Sequence, residues 1–166
     1  QTSKFNSILG NLDVSVANTP KRLKELLSSK DEDFIIIDLG GFDSELQRWA
    51  LFWSDIILIP VTDSDSDLIE LPSFVDTIQE SIFTAENDYT KCLILPSKIH
   101  HFSTKLHASL KKQFDKVDRF KVLDCRISQL SVYTRMMGTG KSVFDMNSQR
   151  AIDDNNDLVN EILKEC

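Results

Sequence analysis

The chain has 166 residues, of which 41% are hydrophobic and 27% charged, and this composition is typical of a folded globular protein. Its net charge of −7 argues against a protein that coats nucleic acid over its whole surface, although it leaves room for a local basic patch. No run of eighteen apolar residues is present, so the sequence predicts no membrane-spanning helix.

The cysteines are odd in number and far apart, and they form no C-x-x-C pair. They are Cys92, Cys125 and Cys166. This pattern predicts reduced thiols and therefore a cytoplasmic protein.

Five short apolar runs are predicted to form strands, because longer amphipathic stretches separate them in the manner of a mainly parallel sheet. They cover residues 13–16 (the weakest), 34–39, 56–61, 91–95 and 120–123. Continuous apolarity in the second and third runs predicts strands that are covered on both faces. The chain is therefore interpreted as one α/β domain over residues 1–166.

Amphipathic helices are predicted between these runs and after them. The first has Thr19 as its N-cap, and the second has an apolar stripe that includes Trp49. The third begins near Ser66 and is expected to be disturbed or restarted at Pro72. The last two are predicted at residues 103–114 and 150–166.

The segment MMGTGKSVFDM, residues 136–146, contains GTGKS, which looks like the end of a phosphate-binding P-loop. The motif G-x-x-x-x-G-K-[ST] requires a glycine at position 135, which Arg135 occupies. A P-loop also follows a buried strand, whereas SQLSVYTRMM before it predicts a short helix. The segment is therefore predicted to be a turn after a helix, with Gly138 and Gly140 at positive φ.

A ligand site is predicted where the run FIIID ends, because Asp38 is followed by Leu39, Gly40 and Gly41. A carboxylate at the C-terminal tip of a parallel strand lies where α/β sheets bind ligands. In P-loop ATPases this is the Walker B arrangement, in which the Asp orients hydrated Mg²⁺. The alternative is an ordinary turn at the end of a strand.

Three segments in order, DFIIIDLGGFDSELQRWALFWSDIILIPVTDSDSDL, CLILPSKIHHFSTKLHASLKKQF and ISQLSVYTRMMGTGKSVFDM, resemble the ParA/MinD family of deviant Walker A ATPases. The resemblance is closest to the plasmid-partition type known as ParF, and it covers about residues 33–164. It implies a P-loop NTPase-like fold, with a mainly parallel sheet flanked by helices. GTGKSVFDM then corresponds to the turn that the family writes as g.SVfe.

Members of this family begin with a strand, a K-G-G-x-G-K-[ST] P-loop, a helix and a second strand that ends in D-x-D-P-Q. Nothing in this chain matches those elements, and Gln1 stands where the last Gln of that pattern would be. The resemblance therefore implies that a segment is missing in front, including the strand beside FIIID, and that a central strand edge is left bare. The chain alone is expected not to hydrolyse ATP.

The resemblance also implies the site residues. Asp38 would hold Mg²⁺ through water, and Gly40 and Gly41 would follow the γ-phosphate of ATP. Contacts with the adenine base are implied for Ser97, Lys98, Ile127, Ser128 and Gln129.

Residues 98–121 carry seven basic and two acidic side chains, a net charge of +5. Such a run is often only a solvated helix face. In ParA-like proteins the corresponding surface contributes to nonspecific DNA binding through phosphate contacts. The lysines implied here are Lys105, Lys111, Lys112 and Lys116. Lys105, Lys112 and Lys116 are spaced for one helical face, with Lys111 about 100° from Lys112.

The function implied is that of a ParA-type ATPase for plasmid or chromosome partitioning. Such a protein forms a homodimer with ATP and Mg²⁺, binds nonspecific DNA and is stimulated by a centromere-binding partner protein. Membrane binding is not expected, because the terminal helix is acidic rather than basic. A positioning factor for a non-DNA cargo and a P-loop-less interaction module remain as alternatives.

Overall fold

A computed structural model describes residues 14–40, 44–82, 89–100, 105–114 and 116–166. Three strands and six α-helices are present in this part of the chain. They are α1 (Pro20–Ser28), α2 (Glu45–Phe52), β1 (Ile56–Val61), α3 (Asp65–Ile82), β2 (Lys91–Pro96), α4 (Lys105–Phe114), β3 (Phe120–Val122), α5 (Ser131–Thr139), a 3-10 helix (Val143–Asp145) and α6 (Gln149–Leu163). The strands form a parallel sheet in the order β1-β2-β3, with helices around it. The predicted α/β class with a parallel sheet is confirmed.

The two faces of the sheet are covered unequally. One face packs against α2, α3 and α4 in a large apolar cluster that includes Ile59, Ile94 and Phe114. On the other face, Leu158 and Ile162 of α6 pack on a smaller cluster formed by Leu93, Leu95 and Leu123. Thus β2 is buried on both faces. The prediction that residues 56–61 are covered on both faces is wrong, because buried and exposed side chains alternate along β1 and Leu58 is 37% exposed.

The strand predicted at residues 34–39 is wrong. This segment has no regular secondary structure, and Phe34, Ile35 and Ile36 are 62%, 45% and 93% exposed. A strand is stable only when a neighbouring strand pairs with its backbone N–H and C=O groups, and the described residues supply no such neighbour here. The weak strand predicted at 13–16 is also wrong for residues 14–16, while position 13 lies outside the described residues.

The outer edge of β1 has no partner strand within the described ranges. The Asp55 and Val61 carbonyls accept hydrogen bonds from Lys91 and Ser97, at 2.9 and 2.7 Å. Backbone groups alternate along a strand, so Ile56, Leu58 and Pro60 direct theirs to the outer edge. Pro60 has no N–H to leave unpaired there. Among the described residues, no strand therefore uses the remaining outward backbone groups of β1.

One helix prediction is confirmed and two differ from the structure. The predicted cap of α1 is confirmed, because Thr19 Oγ1 accepts a hydrogen bond from the Arg22 N–H at 3.2 Å. However, α3 runs through Pro72 without a restart, since Leu71 and Val75 on either side are buried in the core. In α2 the predicted stripe is shifted, because Trp49 is 39% exposed whereas Leu51, which is not part of that stripe, is buried.

The GTGKS segment follows α5 and is not a P-loop. Gly140 ends the helix in the left-handed region with φ 64°, as predicted. Gly138 lies inside α5 without a positive φ, so its predicted conformation is wrong. Ser142 caps the 3-10 helix, and its hydroxyl donates to Asp145 Oδ2 at 2.6 Å. The segment is therefore a helix end followed by a second capped turn.

Candidate functional site

The candidate site lies at the edge of the sheet where the three parallel strands end. Thr62 follows β1, Ser97 follows β2, and the loop of residues 123–129 follows β3. Ligands of open α/β sheets bind outside this edge. This edge is therefore the candidate ligand site.

The two stretches predicted to contact the base lie side by side. The Ile127 N–H donates to the Pro96 carbonyl at 2.9 Å, and the Ile99 N–H donates to the Ile127 carbonyl at 3.0 Å. A further bond joins the Gln129 N–H to the Ile99 carbonyl at 2.9 Å. Backbone pairing thus brings Ser97 and Lys98 next to residues 127–129, although base contacts themselves stay a prediction.

Lys98 has an uncommon backbone conformation at this edge. Its φ of 52° lies in the left-handed region, which costs a residue with a side chain about 1 kcal/mol. Strained positions of this kind cluster at ligand sites. After the hydrogen bonds from Thr62 and Ser64, the positive charge of Lys98 makes the smallest contribution to the low pKa of Asp67.

Asp67 is held by the turn that joins β1 to α3. Its carboxylate accepts hydrogen bonds from the Thr62 hydroxyl at 2.7 Å and from the Thr62 N–H at 3.1 Å. These bonds, followed by one with Ser64, hold the pKa of Asp67 below its ordinary value. Asp67 thus fixes the turn that joins β1 to α3.

Asp38 is exposed and makes no hydrogen bond or ion pair with any residue that the structure describes. Its neighbour Leu39 packs on the large core cluster, so the end of this segment lies against the sheet layer. An added Cβ at Gly40 would meet no atom within 4 Å, and its φ is not left-handed, so this chain alone does not require glycine there. Gly41 lies outside the described residues.

The sequence did not predict the role of Ser128 that the structure shows. The Ser128 N–H donates to Asp154 Oδ2 at 2.8 Å, and its hydroxyl accepts from Arg150 Nε at 3.3 Å. Arg150 also lies 3.1 Å from Asp154 Oδ1, one turn away on α6. The i,i+4 spacing of Arg150 and Asp154 was the available signal for this pair. Arg150 and Asp154 also line an open pocket of about 250 Å³, together with Asp124, Cys125, Arg126, Asp153 and Asp157.

The loop after β3 is anchored to α6 by a second carboxylate. Glu161 accepts hydrogen bonds from the Asp124 N–H at 2.8 Å and from the Cys125 N–H at 2.9 Å. Burial, followed by the nearby Glu161 carboxylate, raises the pKa of Cys125 to about 12. The thiol is therefore protonated at neutral pH, and the loop is held by Glu161 and Asp154 at two points.

The four lysines predicted to bind DNA fall into two groups. Lys105, Lys112 and Lys116 are exposed and make no ion pair within the described ranges. Lys111 instead lies 2.5 Å from Asp124 Oδ1. Lys116 does not share the helical face predicted for it, because α4 ends at Phe114, where the chain turns toward β3.

No protein-family model matches this chain, and a search of curated proteins finds no match either. Within the described ranges, no helix combines the length and the apolarity needed to cross a membrane.

Proposed function

We propose that this chain is the C-terminal part of a ParA-type partition ATPase. The complete protein would dimerise with ATP and Mg²⁺ and bind DNA without sequence preference. Hydrolysis, stimulated by a centromere-binding partner protein, would release the DNA. The basis of the proposal is the sequence resemblance together with one structural observation.

The observation that carries the proposal is that both the apolar segment before Asp38 and the outer edge of β1 lack a neighbouring strand among the described residues. The segment that ends at Asp38 exposes three large apolar side chains in sequence. No strand of the described residues pairs with the outer edge of β1, and Leu58 on the less covered face of the sheet is 37% exposed. A further strand with its following helix would pair with the edge and cover Leu58. The family resemblance expects a strand, P-loop and helix to be missing at this place.

The described residues fit only one side of an ATP site. Ser97, Lys98 and residues 127–129 form a continuous edge at which a base could lie, and Asp38 is an exposed carboxylate near the same sheet layer. A phosphate cradle of consecutive backbone N–H groups is not found in the described part of the chain, because GTGKS is a capped turn. We derive no hydrolysis step from this chain alone. In the complete protein, Mg²⁺ would neutralise the phosphate charge.

The first test is the coding sequence upstream of Gln1, which should encode a strand, a P-loop, a helix and a second strand. The 166-residue chain should bind a fluorescent ATP analogue with a Kd of about 1 mM or weaker, since the P-loop contacts are absent. Micromolar binding by the chain, or an upstream sequence without a P-loop, would contradict the proposal.

The second test concerns catalysis in the longer protein. Asp38→Ala should abolish ATP hydrolysis, because the Mg²⁺ and the attacking water lose their orientation. Asp33→Ala is a matched control, since Asp33 is exposed in the same segment and its replacement removes the same charge. If both variants hydrolyse ATP at the rate of the parent, Asp38 is an ordinary residue of a turn.

DNA binding is tested by comparing two variants, each with three lysines replaced by alanine. Replacement of Lys105, Lys112 and Lys116 by Ala in the ATP-bound longer protein should weaken binding to any duplex. Each lost phosphate contact should flatten the slope of log K against log[salt] by about 0.9. The control exchanges three exposed lysines outside the basic stretch, namely Lys21, Lys24 and Lys141. Equal slopes for the two triple variants would favour the non-DNA positioning factor instead.

A further inference from the structure

Lys111 of α4 and the loop after β3 are joined at the surface. Lys111 Nζ lies 2.5 Å from Asp124 Oδ1, and one turn earlier His107 Nε2 lies 3.0 Å from the Leu123 carbonyl oxygen. The same His107 nitrogen is 4.0 Å from Asp124 Oδ1. Two side chains of the basic helix therefore contact the first two residues of this loop.

Asp124 is positioned from its other side by α6. Its backbone N–H donates to Glu161, which also accepts from the next residue, Cys125. The hydrogen bond and charge of Lys111 hold the pKa of Asp124 below its ordinary value, so the carboxylate is ionised at neutral pH. Because these hydrogen bonds fix the backbone of Asp124, its carboxylate stays beside Lys111.

The ion pair is exposed, which makes it open to competition. The Asp124 side chain is 75% exposed and that of Lys111 37%. Exposed ion pairs are weak and are screened by salt, whereas a duplex presents a dense row of phosphates. A DNA phosphate that approaches α4 would therefore compete with Asp124 for one ammonium group.

We infer that Asp124 is an internal competitor of DNA: its carboxylate occupies Lys111 and removes one phosphate contact from the basic surface. The inference rests on the proposed DNA binding. It distinguishes Lys111 from Lys105, Lys112 and Lys116, which have no such carboxylate partner in the described structure. It also connects the basic surface with the loop of residues 123–129, through the contact of Lys111 with Asp124.

The experiment compares Asp124→Asn with Asp118→Asn in the ATP-bound longer protein, which is the form proposed to bind DNA. Both residues are exposed, and both changes remove one negative charge, but Asp118 faces Arg119 at 3.9 Å rather than a lysine of α4. Binding to a short duplex of mixed sequence is measured by fluorescence polarisation, from about 50 mM to about 200 mM salt.

Asp124→Asn should raise affinity on the order of tenfold at the lowest salt and steepen the salt slope by about 0.9, as expected for one added phosphate contact. Asp118→Asn should leave the slope unchanged. In a Lys111→Ala background, the effect of Asp124→Asn should fall to that of the control.

Binding with the same slope in both variants would overturn the inference and leave the proposed function intact. A steeper slope for Asp124→Asn that persists in the Lys111→Ala background would also overturn it, because the added contact would then not come from Lys111. DNA binding by the longer protein has its own test, so the two failures can be told apart.

Discussion

Two apolar segments of similar sequence have opposite surroundings. In β2, Leu93 and Ile94 are almost fully buried, since β1 and β3 pair with both edges and helices cover both faces. In the segment that ends at Asp38, Phe34 and Ile36 are exposed, and no strand of the described structure pairs with them. Apolar sequence alone therefore does not produce a strand, because backbone pairing has to come from neighbours.

The largest expected effect is a difference in the free energy of unfolding between substitutions in these two segments. Ile94→Ala should lower the free energy of unfolding by about 2–5 kcal/mol, because it removes buried methyl groups and leaves a cavity. Ile36→Ala should change it by no more than about 0.5 kcal/mol, since Ile36 is 93% exposed. Urea denaturation of the 166-residue chain measures both values.

A similar cost for the two substitutions would show that the segment around Ile36 is packed in solution, contrary to the structure. In the longer protein the comparison should change, because the proposed upstream strand would cover Ile36. Ile36→Ala should then cost about 2 kcal/mol or more.

The sequence predicts the fold best where local pattern and tertiary neighbours agree. Ile56–Val61 was predicted with its observed bounds, and the caps at Thr19 and Gly140 follow from local chemistry. Residues 34–39 were predicted wrongly because their pattern is that of a strand, while pairing depends on residues elsewhere. At the candidate site, residues 127–129 were identified, but the partners Asp154 and Glu161 depend on how α6 packs, which no local signal determines.

The next effect tests the anchored loop after β3, which belongs to the well-packed part of the molecule. Glu161→Gln should lower the free energy of unfolding by about 2 kcal/mol, because an NH2 group replaces one of the two oxygens that accept from the N–H groups of Asp124 and Cys125. Glu70→Gln is the control, since Glu70 is exposed on α3 and makes no hydrogen bond or ion pair among the described residues.

The pH dependence follows from the direction of the pKa shift. Burial raises the pKa of Glu161, but the two backbone N–H donors outweigh it and lower the pKa below its ordinary value. A lowered pKa gives stability above the pKa of the unfolded chain, and this stability is lost as pH falls through the folded value. The difference between the parent and Glu161→Gln should therefore be largest above about pH 6 and narrow toward about pH 3. A constant difference would mean that the charge of Glu161 does not contribute.

The smallest effect compares a glycine in each region. Gly140 has φ 64°, so Gly140→Ala should cost about 1 kcal/mol in the chain, because a Cβ is strained in the left-handed region. Gly40 has open space for a Cβ and no left-handed φ, so Gly40→Ala should change the stability of the chain by no more than about 0.5 kcal/mol. If Gly40 lies beside the γ-phosphate as proposed, the same Gly40→Ala change should slow ATP hydrolysis in the longer protein, whereas Gly140→Ala should not. Thermal unfolding of the chain and turnover of the longer protein measure the two effects. A Gly40→Ala variant that destabilises the chain as much as Gly140→Ala would show that chain packing, rather than ligand approach, requires this glycine.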